Sequence, residues 1–193
     1  MQKPLNIIFL GISGSGKGTQ VDLLKQKLET RQKVFTVGMG DLMRSLAEKN
    51  TDTGTRIKEV LRGGNLVPSP VALAYWLYEV STKVSEDMGI MTDGSPRSVW
   101  EAEALDVFLE FLDRKKHTRV LFLNVSQNVI TERLLARGRA DDHKEAIAGR
   151  FAFFREHVVP TVEYYKHQGR LAEINGDQSV EKVHEDVVSA LGL

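Results

Sequence analysis

Short apolar runs alternate along this chain with longer stretches in which apolar residues recur every three or four positions. The runs with strand character cover residues 7–10, 34–37, 90–92, 120–125 and, more weakly, 171–174. Clear helical stripes include Leu73, Leu77, Val80 and Val84, and a second stripe runs from Val99 to Leu112. Buried strands alternating with amphipathic helices predict an α/β fold in which helices cover both faces of a parallel sheet.

Two regions interrupt this alternation. Residues 41–68 predict two short helices, the second of which ends at the Gly63-Gly64 pair. Residues 137–142, Arg-Gly-Arg-Ala-Asp-Asp, predict a tight charged turn between helices. We expect Asp141 and Asp142 to hold this turn by pairing or capping.

Length and composition narrow the class of protein. At 193 residues the chain suits one core domain with room for small inserted segments. Lys plus Arg and Asp plus Glu both number 26, so no global charge favours nucleic acid or an anionic membrane. The chain has no cysteine, which excludes disulfides and thiolate metal sites. The apolar runs are far shorter than the ~20 residues of a membrane span, and the residues before Gly11 are too few for a secretory signal, so we expect a cytoplasmic protein.

Residues 11–19, Gly-Ile-Ser-Gly-Ser-Gly-Lys-Gly-Thr, form a glycine-rich loop directly after the first apolar run. Glycines let several backbone N–H groups converge on phosphate oxygens, and the following helical pattern directs a positive helix end at them. Lys17 adds a charge that can reach the outer phosphates. A glycine turn in any α/β protein is the alternative, but the strand before and the helix after favour a phosphate-binding loop. Gly18 stands where such loops usually have Ser or Thr, so the hydroxyl belongs to Thr19.

Further polar residues follow the second and third predicted strands, where ligands bind in open α/β sheets. Arg44 lies just beyond the second strand and Arg97 just beyond the third. Each could be a solvated surface arginine, but both are expected on the same side of the sheet as the glycine loop. Asp93 closes the third strand, where it could hold Mg²⁺ through water or simply form a turn.

Four arginines bracket the charged turn: Arg133, Arg137, Arg139 and Arg150. The planar guanidinium pairs with two oxygens and keeps its proton, which suits phosphoryl transfer. The charge pattern alone also allows a solvated helical face.

Together these motifs resemble adenylate kinases, within the nucleoside monophosphate kinases. The resemblance rests on residues 11–20, Gly-Asp-Leu-Met-Arg at 40–44, Gly-Asn-Leu-Val-Pro at 64–68, Asp-Gly-x-Pro-Arg at 93–97, and Gly-Arg-Ala-Asp-Asp at 138–142 with Ile147 and Arg150. It implies a three-layer P-loop kinase fold with a five-stranded parallel sheet. It also implies one core domain over residues 1–193, a monophosphate-binding insertion at 38–67, and a short lid at 137–142 without a zinc site.

The resemblance also implies the site residues. Those expected at ATP are Gly14, Ser15, Gly16, Lys17, Gly18, Thr19, Arg133, Arg137 and Gln178. Those expected at AMP are Met39, Arg44, Asn65, Leu66, Val67, Gly94, Arg97, Glu101, Arg139 and Arg150. The residues expected to act on the transferring phosphoryl group are Lys17, Arg44, Arg97, Arg137, Arg139 and Arg150. Mg²⁺ is expected near Thr19 and Asp93, largely through water, in a monomer that acts on ATP and AMP.

The chain departs from the family pattern at four positions. Met39 replaces a usual threonine, Ser95 a phenylalanine, Glu101 a glutamine that reads adenine, and Gln178 a glycine near the ATP base. Because the first three concern the acceptor pocket, a kinase for UMP, CMP or GMP is the alternative within the class. A carboxylate at 101 can only accept hydrogen bonds, so weaker discrimination against GMP or CMP is expected.

The sequence therefore predicts reversible, Mg²⁺-dependent transfer of the ATP γ-phosphoryl group to AMP, giving two ADP. A regulatory nucleotide-switch ATPase is a rival, although the chain lacks the D-x-x-G and N-K-x-D signals of a guanine-nucleotide switch. A catalytically silent binding module is another, but Lys17 and the acceptor-side arginines are retained.

Overall fold

A computed structural model describes residues 3–63, 65–139 and 142–193. A parallel sheet lies at its centre, with strands in the order β2-β3-β1-β4-β5. The strands are β1 (Asn6–Leu10), β2 (Lys33–Gly38), β3 (Met88–Asp93), β4 (Thr118–Asn124) and β5 (Leu171–Asn175). The predicted five-stranded parallel sheet is confirmed, although β4 begins two residues earlier than expected and ends before Val125.

Helices connect the strands. They are α1 (Lys17–Leu28), α2 (Met39–Ala47), α3 (Asp52–Arg62), α4 (Ser69–Lys83), α5 (Val99–Phe111), α6 (Gln127–Arg137), α7 (Lys144–Phe153), α8 (Val159–His167) and α9 (Val180–Ala190). A 3₁₀ turn covers Lys115–His117 and a π-helical turn covers Phe154–Val158. Within the described ranges, no helix has both the length and the hydropathy needed to cross a bilayer.

The core has two layers because successive residues of a strand point to opposite faces. Ile8 and Leu10 of β1 pack in one cluster that includes Trp76 and Tyr165. Ile7 and Phe9 pack in the other, together with residues of α1 and α9. Every residue of β1 is buried, so the strand that leads into the glycine loop is fixed from both sides.

The sheet order explains where a ligand can bind. β1 lies between β3 and β4, so the chain leaves β1 for β2 on one side and later crosses to β4 on the other. Such a reversal opens a crevice at the carboxyl ends of the strands. The loop after β1 and the residue that ends β3, Asp93, lie at this edge, since Phe9 pairs with Asp93 in the sheet register.

The two irregular regions also follow the prediction. Two short helices, α2 and α3, occupy residues 39–62, and α3 ends at Arg62 directly before Gly63. Gly64 lies outside the described residues. The charged turn joins α6 to α7, as expected, although Ala140 and Asp141 also lie outside the described residues.

Candidate active site

The glycine loop is a tight turn that admits no side chain at two of its positions. Gly11 has φ +146°, and a Cβ there would lie 2.7 Å from Ser15 Oγ and 3.0 Å from the Leu123 carbonyl oxygen. Gly14 has φ +89°, and a Cβ there would lie 3.0 Å from the Leu134 side chain of α6. Only glycine tolerates both this backbone and this crowding. The loop is therefore packed directly against the helix that leads to the charged turn.

Lys17 begins α1 and turns its ammonium group back into the loop. Its Nζ donates to the carbonyl oxygens of Gly11 and Ile12, at 2.9 Å each, and lies 3.7 Å from Asp93 Oδ1. The side chain is buried, and burial lowers the pKa of Lys17 while the Asp93 charge opposes that change. The ammonium group is thus held where phosphates would meet the loop.

One cleft of about 1100 Å³ extends from the loop across the strand ends to α2 and α3. The sequence-predicted residues that line it are Gly14, Ser15, Gly16, Lys17, Gly18, Thr19, Met39, Arg44, Asn65, Leu66, Val67, Asp93, Gly94, Arg97, Arg133, Arg137, Arg139, Arg150 and Gln178. The fold brings these residues together although they come from positions throughout the chain.

Glu101 is the exception. It does not line the cleft; its side chain is buried, and its Oε2 accepts a hydrogen bond from the Arg97 backbone N–H at 2.7 Å. The same oxygen accepts from the Ser95 hydroxyl at 3.3 Å. In this structure the loop before α5 binds the carboxylate of Glu101, and its contact with the acceptor base stays a prediction.

Two arginines of the cleft come from α2 and from the loop after β3. Arg44 of α2 forms an ion pair with Asp41, and its guanidinium lies close to Gly40, where a Cβ would be 3.2 Å away. Arg97 donates from Nε to the Gly94 carbonyl at 2.6 Å. Burial lowers the pKa of Arg97, and the charges of Glu101 and Asp93 counteract that effect.

The charged turn is organised around Asp142. Its carboxylate accepts two hydrogen bonds from Arg137, at 2.7 and 2.8 Å, one from Arg150 at 2.8 Å, and one from the backbone N–H of Arg139 at 3.1 Å. The Arg137 guanidinium holds the pKa of this carboxyl well below its usual range, and Arg150 acts in the same direction. The predicted role of Asp142 in the turn is confirmed, whereas Asp141 lies outside the described residues.

The two residues expected near the ATP base both bind the backbone around the end of β5. Arg133 of α6 donates to the Gly176 carbonyl at 3.1 Å. Gln178 donates to the Asn175 carbonyl at 2.8 Å and to Asp186 at 2.9 Å. Both side chains are therefore oriented by the chain that follows β5.

The two candidate magnesium ligands lie in the first turn of α1 and at the end of β3. A Cβ on Gly18 would be 3.9 Å from Asp93 Oδ2, which shows how closely the carboxylate approaches the start of α1. Thr19 is the next residue of that helix and lines the same cleft. In the described ranges, no group of three or more His, Cys, Asp or Glu residues is placed to hold a metal ion.

Sequence reasoning missed several apolar residues of the cleft lining. They are Phe153, Phe154, Val158, Val180 and Val183. Phe154 also stacks on Phe122 of β4, with ring centroids 6.2 Å apart. Apolar residues at helical spacing predict only burial, so no sequence signal separates these cleft residues from the core.

Comparisons with known proteins agree with this geometry. The family model described as adenylate kinase matches residues 9–170. The chain is 37% identical over 177 residues to adenylate kinase 1 of Synechocystis sp., covering 92% of this chain and 91% of that protein. It is 34% identical over 187 residues to the adenylate kinase of Corynebacterium urealyticum, covering 97% and 99%, and 32% identical over 183 residues to that of Oenococcus oeni, covering 94% and 95%. The chain belongs to the adenylate kinase family.

Proposed function

We propose that this chain catalyses the reversible transfer of the γ-phosphoryl group of ATP to AMP, giving two ADP. The observation that carries the proposal is a single cleft in which the loop cation Lys17 faces the acceptor-side arginines Arg44 and Arg97. Its volume of about 1100 Å³ lies above the ~300–1,000 Å³ typical of a site for one drug-sized ligand. Such a cleft suits two nucleotides placed end to end.

On the donor side, the loop and Lys17 would hold the ATP phosphates. The Lys17 ammonium is already anchored by two loop carbonyls, so little reorganisation is needed when phosphate oxygens arrive. Arg133 and Gln178, whose side chains bind the backbone around the end of β5, would contact the adenine of ATP. Val180, two residues after Gln178 and in the lining of the same cleft, would contact the same base.

On the acceptor side, Arg44 and Arg97 would bind the phosphate of AMP. A guanidinium pairs with two phosphate oxygens at once, which fixes the direction of the attacking oxygen. Leu66, Val67 and Gly94 line the adjoining part of the cleft and would contact the acceptor nucleoside. Direct, in-line transfer between the two nucleotides would need no covalent intermediate on the protein.

Arg137, Arg139 and Arg150 would stabilise the charge that develops between donor and acceptor. Two of them are held by the same carboxylate of Asp142, so they would approach the phosphates together. We further propose that residues 38–67 and 137–142 close over the bound nucleotides. Closure would exclude water, which would otherwise accept the phosphoryl group.

The donor set also suits Mg²⁺. One carboxylate, Asp93, and one hydroxyl, Thr19, line the same cleft as the glycine loop, and Asp93 approaches the residue before Thr19. Mg²⁺ in nucleotide sites keeps several waters and uses few protein ligands, so these two residues could hold it, mostly through water. When bound, the ion would neutralise charge on the phosphate oxygens.

The active species is proposed to be a monomer, as the resemblance to adenylate kinases implies. A cytoplasmic location is part of the proposal, since both substrates are cytoplasmic nucleotides. Light scattering of the purified chain, with and without nucleotides, tests the monomer.

The experiment that tests the function separates transfer from hydrolysis. ATP and Mg²⁺ are incubated with the chain in the presence and absence of AMP, and ADP and inorganic phosphate are both measured. Adenylate kinase activity gives two ADP for each AMP consumed, with negligible free phosphate. Phosphate release that does not depend on AMP would instead indicate the regulatory ATPase.

A further inference from the structure

The start of α5 contains an unusual side-chain clamp. Ser98 caps the helix, and its Oγ accepts from the Glu101 backbone N–H at 3.2 Å. In a capping box the acidic residue at the third helical position returns to the backbone N–H of the capping residue. Here Glu101 reaches one residue further and accepts from the N–H of Arg97 at 2.7 Å.

The clamp also joins two of the positions at which this chain departs from its family. The Ser95 hydroxyl donates to the same Glu101 oxygen, at 3.3 Å, and both residues are buried. A phenylalanine at 95 could not donate this hydrogen bond. The serine and the glutamate thus form one physical unit in this protein.

This unit fixes the loop that carries Arg97. Two hydrogen bonds hold this loop. The Arg97 backbone N–H donates to Glu101, and Arg97 Nε donates to the Gly94 carbonyl at 2.6 Å. Gly94 has φ +80°, and a Cβ there would lie 3.2 Å from Arg97 Nη2. Hydrogen bonds to an ionised carboxylate are roughly twice as strong as neutral ones, so Glu101 holds the loop more firmly than an amide would.

We propose that Glu101 is a positioning residue for the acceptor phosphate: by holding the Ser95–Arg97 backbone, its carboxylate aims the Arg97 guanidinium into the cleft. The inference rests on the proposed function, because it assigns Arg97 to the acceptor. A positioning role for Glu101 and a base-reading role differ in one measurable effect. A residue that acts through Arg97 affects the phosphate common to all nucleoside monophosphates, whereas a base-reading residue affects them unequally.

The first experiment measures kcat and KM for AMP, GMP, CMP and UMP, and KM for ATP, in the wild type and in Glu101→Ala. In Glu101→Ala we expect KM to rise about tenfold for every monophosphate that the wild type accepts, because a tenfold rise is the scale of a lost charged hydrogen bond. KM for ATP should stay within twofold of the wild-type value. Glu103→Ala is the matched control, since Glu103 is an exposed glutamate of the same helix, and it should leave both values unchanged. A purely structural role would lower the amount of active protein without separating the two KM values.

Milder variants keep the proposal testable if Glu101→Ala does not fold. Ser95→Ala removes one of the two donors to Glu101, and Glu101→Gln replaces the carboxylate with a neutral acceptor. Each variant should raise KM for all monophosphates by about threefold, the effect of one weakened hydrogen bond. The opposite result is a tenfold change in Glu101→Gln in the KM for AMP relative to the KM for GMP or CMP, with no rise shared by all monophosphates. It would show that Glu101 reads the base and would overturn the proposal.

A double-mutant cycle tests whether Glu101 acts through Arg97. In an Arg97→Ala background the backbone N–H is still present but the guanidinium is gone, so adding Glu101→Ala should not weaken AMP binding further. A further tenfold loss in calorimetric titration would overturn the proposal, because Glu101 would then act on AMP without Arg97.

The same titrations separate this inference from the proposed function. If the wild type binds monophosphates but transfers no phosphoryl group, only the proposed function is contradicted. The monophosphate affinity of the wild type relative to that of Glu101→Ala would still decide the role of Glu101. If the wild type and Glu101→Ala bind monophosphates equally and the wild type transfers the phosphoryl group to AMP, only the inference is overturned.

Discussion

Replacing Lys17 with methionine removes the ammonium group at the centre of the glycine loop and keeps a side chain of similar length. The lost group lies 2.9 Å from two loop carbonyls and faces the phosphate end of the cleft. Electrostatic groups at a reacting centre contribute ~2.7–4 kcal/mol to the transition state, which corresponds to a loss of about 10²–10³ in kcat.

The effect on folding should be much smaller. Methionine leaves the carbonyls of Gly11 and Ile12 without a donor, which costs ~1–3 kcal/mol for each one that stays unsatisfied. The same change removes a buried charge, whose desolvation already lowers the pKa of Lys17. These terms oppose each other, so we expect the free energy of unfolding to change by no more than ~2 kcal/mol.

The assay couples ADP formation to a spectroscopic readout at saturating ATP and AMP, and urea unfolding measures stability. Lys25→Met is the matched control, because Lys25 lies on the same helix and pairs with Glu29 on its exposed side. It should retain wild-type kcat. A folded Lys17→Met protein with near-normal kcat, or an equal loss in Lys25→Met, would refute the role assigned to Lys17.

Three further predictions follow from the acceptor arginines and the charged turn. Arg97→Lys keeps the charge but loses the two-point contact, so KM for AMP should rise much more than KM for ATP in steady-state kinetics; equal rises would remove Arg97 from the acceptor site. A ligand in which five phosphates join two adenosines engages both halves of the cleft, so it should bind far more tightly than ATP and slow hydrogen exchange over the described residues of 133–150. Calorimetry and exchange mass spectrometry would show neither effect if the cleft holds one nucleotide. Asp142 is ionised in the folded state with a pKa well below its usual range, so its contribution to stability is present above its unfolded pKa, about 3.9, and is lost as pH falls below it. In urea unfolding from pH 7 to pH 2, the stability difference between wild type and Asp142→Asn should therefore shrink at acid pH, and a difference independent of pH would contradict the pairing.

The parts of the site that depend on short-range pattern could be predicted from sequence. The strand, the glycine loop and the helix after Lys17 follow from residue order alone, as does an arginine beyond a strand that ends in Asp93. The charged turn was also predictable as a paired structure. The pairing of Asp142 with both Arg137 and Arg150 was not, since it depends on how α6 and α7 pack.

Features set by tertiary packing could not be predicted. No local signal shows that Lys17 is buried among loop carbonyls, nor that Phe153 lines the cleft. Glu101 is the clearest case. The family pattern predicts contact with the acceptor base, and no local signal predicts that the hydroxyl of Ser95 and the backbone of Arg97 donate to its carboxylate.

The acceptor preference decides whether this chain is an adenylate kinase in its activity. We would measure kcat/KM for AMP, GMP, CMP and UMP in parallel, at saturating ATP and Mg²⁺, with the wild-type chain. We expect AMP to be the best acceptor and ADP to be formed from it without free phosphate. A preference of tenfold or more for GMP, CMP or UMP over AMP would contradict adenylate kinase activity and would leave only the broader class of nucleoside monophosphate kinases.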